Sequence, residues 1–277
     1  MIEFLSALAS YSFMQHALVA CLLASIGCGI IGTYVVVKRI GFLAGGIAHS
    51  VLAGMGVAYF FGGSPMVGAV AAALIAAVLI GWINLRWRQQ EDILIAAFWS
   101  VGMAIGVVFI SRTPGYSIDL MSYLFGNILL VSNYDLYIML LLDIVIITLV
   151  MLFYKQFLAA AFDEEFARLN GINIEFFYIL LLSMVALTVV LLIQIVGLIL
   201  VIALLILPSA SAAQFVSSIK RMMLLSIFFS MVITTAGLMF SYQPDLPSGA
   251  TIIILAGIVY LLSVIGQNVF RKLNHII

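Results

Sequence analysis

Two long runs of the chain contain no charged residue, and they restrict the possible folds more than any other feature. Residues 40–85 and 176–219 lack Asp, Glu, Lys and Arg, and each run is long enough for two membrane-spanning helices of about 20 residues. The whole chain is 66% hydrophobic and only 8% charged, whereas soluble domains are about half apolar. The sequence therefore predicts an all-α, polytopic transmembrane helical bundle that forms a single domain over residues 1–277.

Hydropathy and Gly- or Pro-rich turns place nine crossings in this bundle, with eight as the alternative count. The expected ranges are 14–37, 43–61, 66–84, 92–111, 134–154, 175–193, 197–215, 222–241 and 250–270. The second charge-free run must fold back on itself, most plainly between Gln194 and Gly197. Residues 119–132 are too few to cross the bilayer and return. We interpret this segment as a re-entrant or interfacial helix, and an ordinary surface helix fits equally well.

The basic residues favour one orientation of the chain. With the N-terminus outside and the C-terminus in the cytoplasm, ten of the eleven lysines and arginines fall on the cytoplasmic side, as the positive-inside rule requires. The expected location is an inner or plasma membrane, with lipid around the bundle. The formal net charge is +0 and no basic tail is present, so nucleic acid is not an expected partner.

The sequence contains no recognisable catalytic motif. It has no G-x-x-x-x-G-K-[ST] phosphate loop, and its three histidines lie far apart. We therefore expect a chain that is not an enzyme and does not hydrolyse nucleotide itself. We also expect no permanently bound cofactor.

A loop between two predicted spans, on the cytoplasmic side, has the pattern of a short capped helix. Acidic residues at 163–165 precede Arg168, and Gly171 ends the pattern, which matches the charge preferences of helix ends. Phe162 and Phe166 recur at helical spacing. Such a helix either lies on lipid headgroups or docks in a groove of a cytoplasmic partner.

One histidine lies well inside a predicted span, several residues from its ends. His49 is surrounded by Gly45, Gly46, Ala48 and Ser50, and small residues allow helices to approach closely, so this face should contact protein. A neutral imidazole is a good ligand for Zn²⁺, Mn²⁺ or Fe²⁺. His49 is therefore either a metal ligand or a side chain hydrogen-bonded between helices.

Asp143 is the one acidic residue well inside a predicted span. Intramembrane carboxylates usually face a cavity or a partner, so Asp143 is a second candidate metal ligand. A protonated carboxyl between two helices is the alternative. A secondary transporter driven by protons or sodium, with Asp143 as its coupling acid, is a rival function. Further groups near the expected helix break are candidates for lining a pore: Gln194, Pro208, Ser209 and Ser211.

Several stretches, taken in order, resemble the permease subunits of metal-ion ABC importers of the zinc- and manganese-uptake type. They are GGIAHSVLAGMG, EDILIAAFWSVGMAIGVVFIS, YLFGNILLVS, FDEEFARLNGI, QIVGLILVIALLILPSASAA and SYQPDLPSGATI. The resemblance implies a cytoplasmic ATP-binding subunit, an extracytoplasmic metal-binding protein and a second permease chain, which we expect to make a homodimer. It also implies that about 160–171 is the coupling helix. The residues expected to contact the ATP-binding subunit are Phe162, Asp163, Glu164, Phe166, Arg168 and Gly171.

The chain departs from this family pattern beside its histidine. Many members carry an Asp four residues earlier, one helical turn away, where this chain has Gly45. A carboxylate beside an imidazole suits Mn²⁺ better than an imidazole alone does. We therefore expect zinc to be the transported ion, with Mn²⁺ or Fe²⁺ as the alternative. An importer of a bulky metal chelate would instead be indifferent to His49.

Overall fold

The computed structural model describes residues 2–87, 91–113, 124–242, 244 and 246–274, and for some of these, Gln194 among them, the backbone only. This part of the chain is helical and contains no strand. Its helices are α1 (Ile2–Ser10), α2 (Ser12–Lys38), α3 (Gly41–Phe60), α4 (Pro65–Arg86), α5 (Glu91–Ser111), α6 (Asn133–Leu152), α7 (Tyr154–Phe162), α8 (Glu164–Leu169), α9 (Ile174–Ala213), α10 (Ile219–Tyr242) and α11 (Ser248–Asn274). A short 3₁₀ turn covers Ile128–Leu130.

Eight segments among the described residues are long and apolar enough to cross a membrane. They are α2, α3, α4, α6, α10, the Ser248–Gln267 part of α11, and the two halves of α9, Ile174–Ile193 and Ile195–Ala213. The prediction of an all-α, polytopic bundle is therefore confirmed.

Helix α5 lies beside α3 and is not among these eight candidate spans. Its described apolar part, Ile95–Ser111, is shorter than the other spans. However, Gly46 of α3 packs near Ile95, and further along the pair Gly56 packs against Gly106. Residue numbers rise in the same direction along both helices at these contacts, so α3 and α5 are parallel and lie at the same depth.

The chain reverses its direction in the middle of α9. The first half contacts α2 at Gly27, where a built Cβ would lie 3.3 Å from Cδ1 of Leu191. The second half contacts α2 at Cys28, whose thiol donates a hydrogen bond to the Leu204 carbonyl. A continuous helix would separate positions 191 and 204 by about 20 Å. The two halves must therefore form an antiparallel hairpin, and the one residue with non-helical angles inside it is Gly197, at φ 78° and ψ 168°.

The reversal in α9 packs tightly against the segment that precedes α6. Gly197 and Gly126, both at positive φ, meet backbone to backbone. Gly249 adds a third contact, since a Cβ there would lie 2.9 Å from the Phe125 carbonyl oxygen. Only glycine fits these positions, because any side chain would push the backbones apart. Residues 114–123 lie outside the described part and include 119–123, the start of the predicted re-entrant or interfacial segment, so the path of that segment into the bilayer stays a prediction.

Helix α2 is the central element of the bundle and packs against α6, α9 and α10. Buried hydroxyl groups meet between α2 and α10, at Ser25 with Thr234 (3.2 Å) and at Thr33 with Ser226 (3.4 Å). Hydrogen bonds between helices fix their rotation in an apolar surrounding, where hydrophobic contacts alone are not specific. This fixed frame positions α3 and α9, the helices that carry most of the predicted site.

Candidate functional site

His49 lies deep inside the bundle, on α3. Its side chain is only 5% exposed, and at 1.5 Å per residue it is about 12 Å from the start of α3. The imidazole stacks face to face on the indole of Trp99 from α5, with ring centroids 3.7 Å apart and an interplanar angle of 18°. Its Nδ1 atom is buried and has no hydrogen-bond partner in the described residues.

The chemistry of this imidazole fits a transient metal ligand. A buried nitrogen without a partner costs free energy unless something binds it, and the lone pair of a neutral imidazole can bind a metal ion. The described residues contain no group of three or more His, Cys, Asp or Glu side chains that could hold a metal ion. Fewer than three such protein ligands suit transient binding, because an ion that is held tightly is released slowly.

The small residues around His49 bring α3 close to its neighbours. A Cβ built at Gly102 of α5 would lie 2.7 Å from the Cα of Ser50. One turn before His49, a Cβ at Gly45 would lie 3.0 Å from Cδ1 of Ile202 and 3.3 Å from Cζ3 of Trp99. Position 45, where the family resemblance implies an Asp in many members, is therefore in contact with two bulky side chains.

Asp143 is also deeply buried, but in a different part of the bundle. Its side chain is 2% exposed, and neither carboxyl oxygen has a hydrogen-bond partner in the described residues. The carboxyl packs on α2 at Gly27, where a built Cβ would lie 3.0 Å from Oδ1. No ion pair joins it to His49 in the part of the chain that the structure describes. The structure thus does not bring the two metal-ligand candidates together.

Pro208 frees a backbone carbonyl, and another side chain binds that carbonyl. Proline has no N–H, so the carbonyl of Leu204, one turn earlier in α9, loses its helical partner. The Cys28 thiol donates to this oxygen at 2.9 Å, and the Ser230 hydroxyl donates to the Cys28 sulfur. The freed carbonyl is therefore occupied by a contact between α2 and α9.

The other pore-lining candidates have different surroundings. Ser209 is buried beside Gly32 of α2, and its Oγ has no hydrogen-bond partner among the described residues. The Ser211 hydroxyl donates to the carbonyl of Leu207 within its own helix. The side chain of Gln194 lies outside the described residues.

The predicted capped helix in the loop between two spans is present as α8. Asp163 precedes it with an extended backbone, and its carboxylate accepts a hydrogen bond from the Phe166 amide at 2.9 Å. The helix ends before Gly171, which has a positive φ of 76°. The structure places Asp163 as the N-cap, so the helix is shorter than the expected range of about 160–171, and α7 is a separate helix before it.

One face of α8 is buried and the other is apolar and exposed. Ala167 is buried and packs in a small cluster with Ile174 at the start of α9. Leu169 is 88% exposed. The large apolar side chains exposed on and beside this helix are Phe162, Phe166 and Leu169.

An ion pair joins α8 to the end of α2. Lys38 Nζ lies 2.9 Å from Oε1 of Glu164 and also donates to the carbonyl of Ala160 at 2.7 Å. The pair lines a cavity of about 330 Å³ that also includes Leu43 of α3 and Ile95 of α5. This cavity therefore lies between α8 and the helix pair that holds His49.

Sequence reasoning missed Trp99 and the second role of Lys38. Tryptophan prefers the interfaces of a membrane, whereas Trp99 is about 12 Å into α5; its depth was a usable signal for an inward-facing role. In the sequence, Lys38 contributes only to the predicted orientation of the chain in the membrane. Its pairing with Glu164, 126 positions later, has no signal in a single sequence.

The chain is similar to known membrane proteins along nearly its whole length. It is 44% identical to the membrane protein slr2045 of Synechocystis sp. over 263 residues, which cover 95% of this chain and 94% of that protein. It is 35% identical to the manganese transport system membrane protein MntC of Halalkalibacterium halodurans, over 94% of this chain and 89% of MntC. The solved structure of PsaBC from Streptococcus pneumoniae in complex with Fab contains a similar chain, with 32% identity, a TM-score of 0.87 and 95% coverage of both chains.

A family match agrees with these similarities. The family described as the ABC 3 transport family matches residues 10–267, which include His49, Asp143 and α8. The chain therefore belongs to the ABC 3 transport family, as a membrane permease of a metal ABC transporter.

Proposed function

We propose that this permease forms the membrane path of an ATP-driven importer of divalent transition-metal ions and that His49 is a ligand on that path. The observation that carries the proposal is the buried Nδ1 of His49, which has no hydrogen-bond partner in the described residues. In a metal ABC permease, a buried imidazole nitrogen without a hydrogen-bond partner inside a span is most simply explained as a group that an ion meets in transit.

Zinc is the ion that the residues around His49 favour. Gly45 provides no carboxylate one turn from the imidazole, and imidazole without carboxylate suits Zn²⁺ better than Mn²⁺. Manganese is the second candidate, and it is supported by the names of relatives such as MntC of Halalkalibacterium halodurans. Ferrous iron is the third member of this substrate class.

The partners follow from this function and from the exposed surface of α8. An ATP-binding subunit in the cytoplasm would dock on the apolar side chains of Phe162, Phe166 and Leu169, which are exposed beside the charged Arg168. A few large side chains that become buried at the centre of an interface usually dominate its affinity. An extracytoplasmic metal-binding protein and a second copy of the permease complete the importer, which would lie in an inner or plasma membrane with its N-terminus outside.

A conformational change in the ATP-binding subunit would reach the helix of His49 through a short series of contacts. Movement of α8 would shift Glu164 and, through the ion pair, Lys38 at the end of α2. Helix α3 begins at Gly41, directly after this turn, and carries His49. Alternating access requires that such a link favour different states of the path before and after ATP hydrolysis.

The remaining polar candidates stay predictions. Asp143 stays a predicted cation-binding group that zinc transport through His49 does not require, because its carboxyl lies against α2 at Gly27. The groups near the reversal of α9 and around Pro208 are proposed as path-lining groups: Gln194, Pro208, Ser209 and Ser211.

The energy source tests this proposal against the rival secondary transporter. Proteoliposomes that contain the permease, its ATP-binding subunit and its metal-binding protein would receive Zn²⁺, Mn²⁺ or Fe²⁺, with either ATP or a proton or sodium gradient. We expect ATP-dependent uptake that persists when the gradients are collapsed. Uptake that is driven by a gradient and needs no ATP-binding subunit would contradict the proposal.

The docking surface can be tested separately with two leucine variants. Leu169→Ala should weaken co-purification with the ATP-binding subunit, because truncating a side chain that is buried at the centre of an interface costs about 1 kcal/mol or more. Leu261→Ala is the matched control, because Leu261 is also exposed but lies in the α11 span. Equal co-purification of both variants would show that α8 is not the docking surface.

A further inference from the structure

We propose that Trp99 is a specificity-determining residue of the metal path, and that it occupies the place from which an acidic residue at position 45 would reach the ion. This inference rests on the proposed role of His49. It assigns a function to a residue that the sequence alone did not single out.

The first support is the way in which Trp99 contacts His49. The two rings stack at 3.7 Å with an interplanar angle of 18°, so the indole covers one face of the imidazole. The nitrogen lone pair lies in the plane of the imidazole ring, and a partner on the ring face does not compete for it. Trp99 therefore fixes the orientation of His49 and leaves Nδ1, which has no hydrogen-bond partner among the described residues, free to bind an ion.

The second support is the space beside Gly45. A Cβ there would already be 3.3 Å from Cζ3 of Trp99 and 3.0 Å from Cδ1 of Ile202, both tighter than ordinary van der Waals contact. A whole aspartate at position 45 would need both side chains to move. Residues four apart on a helix lie on the same face, so the edge of Trp99 lies near the position from which that carboxylate would meet the ion.

The chemical consequence is a site without formal negative charge. Mn²⁺ is bound best by carboxylates and other oxygen ligands, whereas imidazole suits Zn²⁺. An imidazole that binds a cation becomes more positive, and the negative face of an indole stabilises positive charge above it. Trp99 thus disfavours the carboxylate-dependent ion and stabilises the metal-bound form of His49.

The test measures the ratio of Zn²⁺ to Mn²⁺ uptake rates in the reconstituted importer. Trp99→Phe keeps an aromatic face, and Trp99→Met fills space without one. We expect Trp99→Met to lower the Zn²⁺ to Mn²⁺ ratio by about tenfold, the size of effect that a single pocket contact typically has. Trp99→Phe should stay close to the wild type. Because both rates come from the same sample, a smaller amount of assembled protein cancels in the ratio.

Gly45→Asp provides the second measurement. Alone, it should give no gain in Mn²⁺ uptake relative to Zn²⁺, because Trp99 blocks the carboxylate; with Trp99→Met it should shift the ratio towards Mn²⁺ beyond either single variant. Trp82→Met is the matched control, since Trp82 is an exposed tryptophan of α4. If both Trp99 variants fail to assemble, the uptake ratio of the Gly45→Asp variant alone tests the inference.

Two results would overturn the inference. One is an unchanged ratio in Trp99→Met, and the other is a shift to Mn²⁺ in Gly45→Asp while Trp99 is in place. His49→Ala separates this failure from that of the proposed function. If His49→Ala keeps the wild-type zinc rate, the role of His49 is wrong and the inference falls with it. If His49→Ala stops uptake but the ratios do not change, only the role of Trp99 is wrong.

Discussion

Lys38 Nζ lies 2.9 Å from Oε1 of Glu164, and this ion pair joins the end of α2 to the first residue of α8. The two residues lie 126 positions apart in the chain. Lys38 is followed closely by Gly41, where the helix of His49 begins. The proposed docking helix and the proposed metal path are therefore connected by one side-chain contact and one short turn.

Reversing the charge of Lys38 should uncouple transport from ATP hydrolysis. Lys38→Glu places two acidic groups together, so uptake per ATP hydrolysed should fall, and Lys38→Glu with Glu164→Lys should recover part of it. Because the pair is partly exposed, we expect its effect on the free energy of unfolding to stay below about 1 kcal/mol. Lys155→Glu is the control, since Lys155 is an exposed lysine of neighbouring α7. Normal coupling in Lys38→Glu would show that the pair is only a surface contact.

The contact between Cys28 and the carbonyl of Leu204 should depend on Pro208. Cys28→Ala leaves that buried carbonyl without a donor, which typically costs about 1–3 kcal/mol of stability. In a Pro208→Ala background the new amide can bind Leu204 instead, so the same change should cost less. Thermal unfolding of the purified permease in detergent measures both costs. Cys28→Ala also removes the hydrogen bond from Ser230 in both backgrounds, so that loss cancels in the comparison. Equal costs in the two backgrounds would contradict this account.

Gly29 should be a position where α2 does not tolerate a methyl group. A Cβ at Gly29 would lie 2.5 Å from the amide nitrogen of Ile227, in the backbone of α10, so Gly29→Ala must separate the two helices. Overpacking of this kind costs about 1–3 kcal/mol. Gly257→Ala is the matched control, because a Cβ there meets nothing within 4 Å and alanine favours a helix. A Gly29→Ala variant as stable as Gly257→Ala would contradict the packing of α2 on α10.

Asp143→Asn should leave zinc uptake close to that of the wild type. The carboxyl is buried without a hydrogen-bond partner among the described residues, and an amide of the same shape avoids the cost of an unpaired buried charge. We therefore expect stability in thermal unfolding to stay equal or to rise. Loss of uptake in a stable, assembled Asp143→Asn permease would instead assign Asp143 to the cation path.

The sequence predicted the features that depend on local composition. Charge-free runs predicted the spans because a bilayer excludes unpaired charge, and the length of residues 176–219 required the reversal that occurs at Gly197. The acidic start and glycine end of α8 follow from helix capping, which involves neighbours in sequence. The burial of His49 followed from the small residues around it, because such residues favour contact between helices.

The contacts that depend on helix rotation could not be predicted from a single sequence. The depth of Trp99 in α5 indicates a contact with protein, but α5 is mostly apolar on every side, so its pattern does not show that Trp99 faces α3. The separation of Asp143 from His49 likewise depends on which helices are neighbours, and hydropathy does not contain this information. The occupation of the Leu204 carbonyl by Cys28 is a third example, because the sequence shows that Pro208 frees a carbonyl but not which side chain reaches it.

Uptake of zinc through His49 is the most direct test of the account. Initial rates of ATP-driven Zn²⁺ uptake would be compared for wild type, His49→Ala and His49→Gln in proteoliposomes, with equal co-purification of the ATP-binding subunit as the measure of assembly. We expect both variants to assemble and hydrolyse ATP but to lose most zinc uptake, because alanine has no ligand and an amide is a weak one. Wild-type uptake in an assembled His49→Ala permease would contradict the central claim that the ion meets this imidazole.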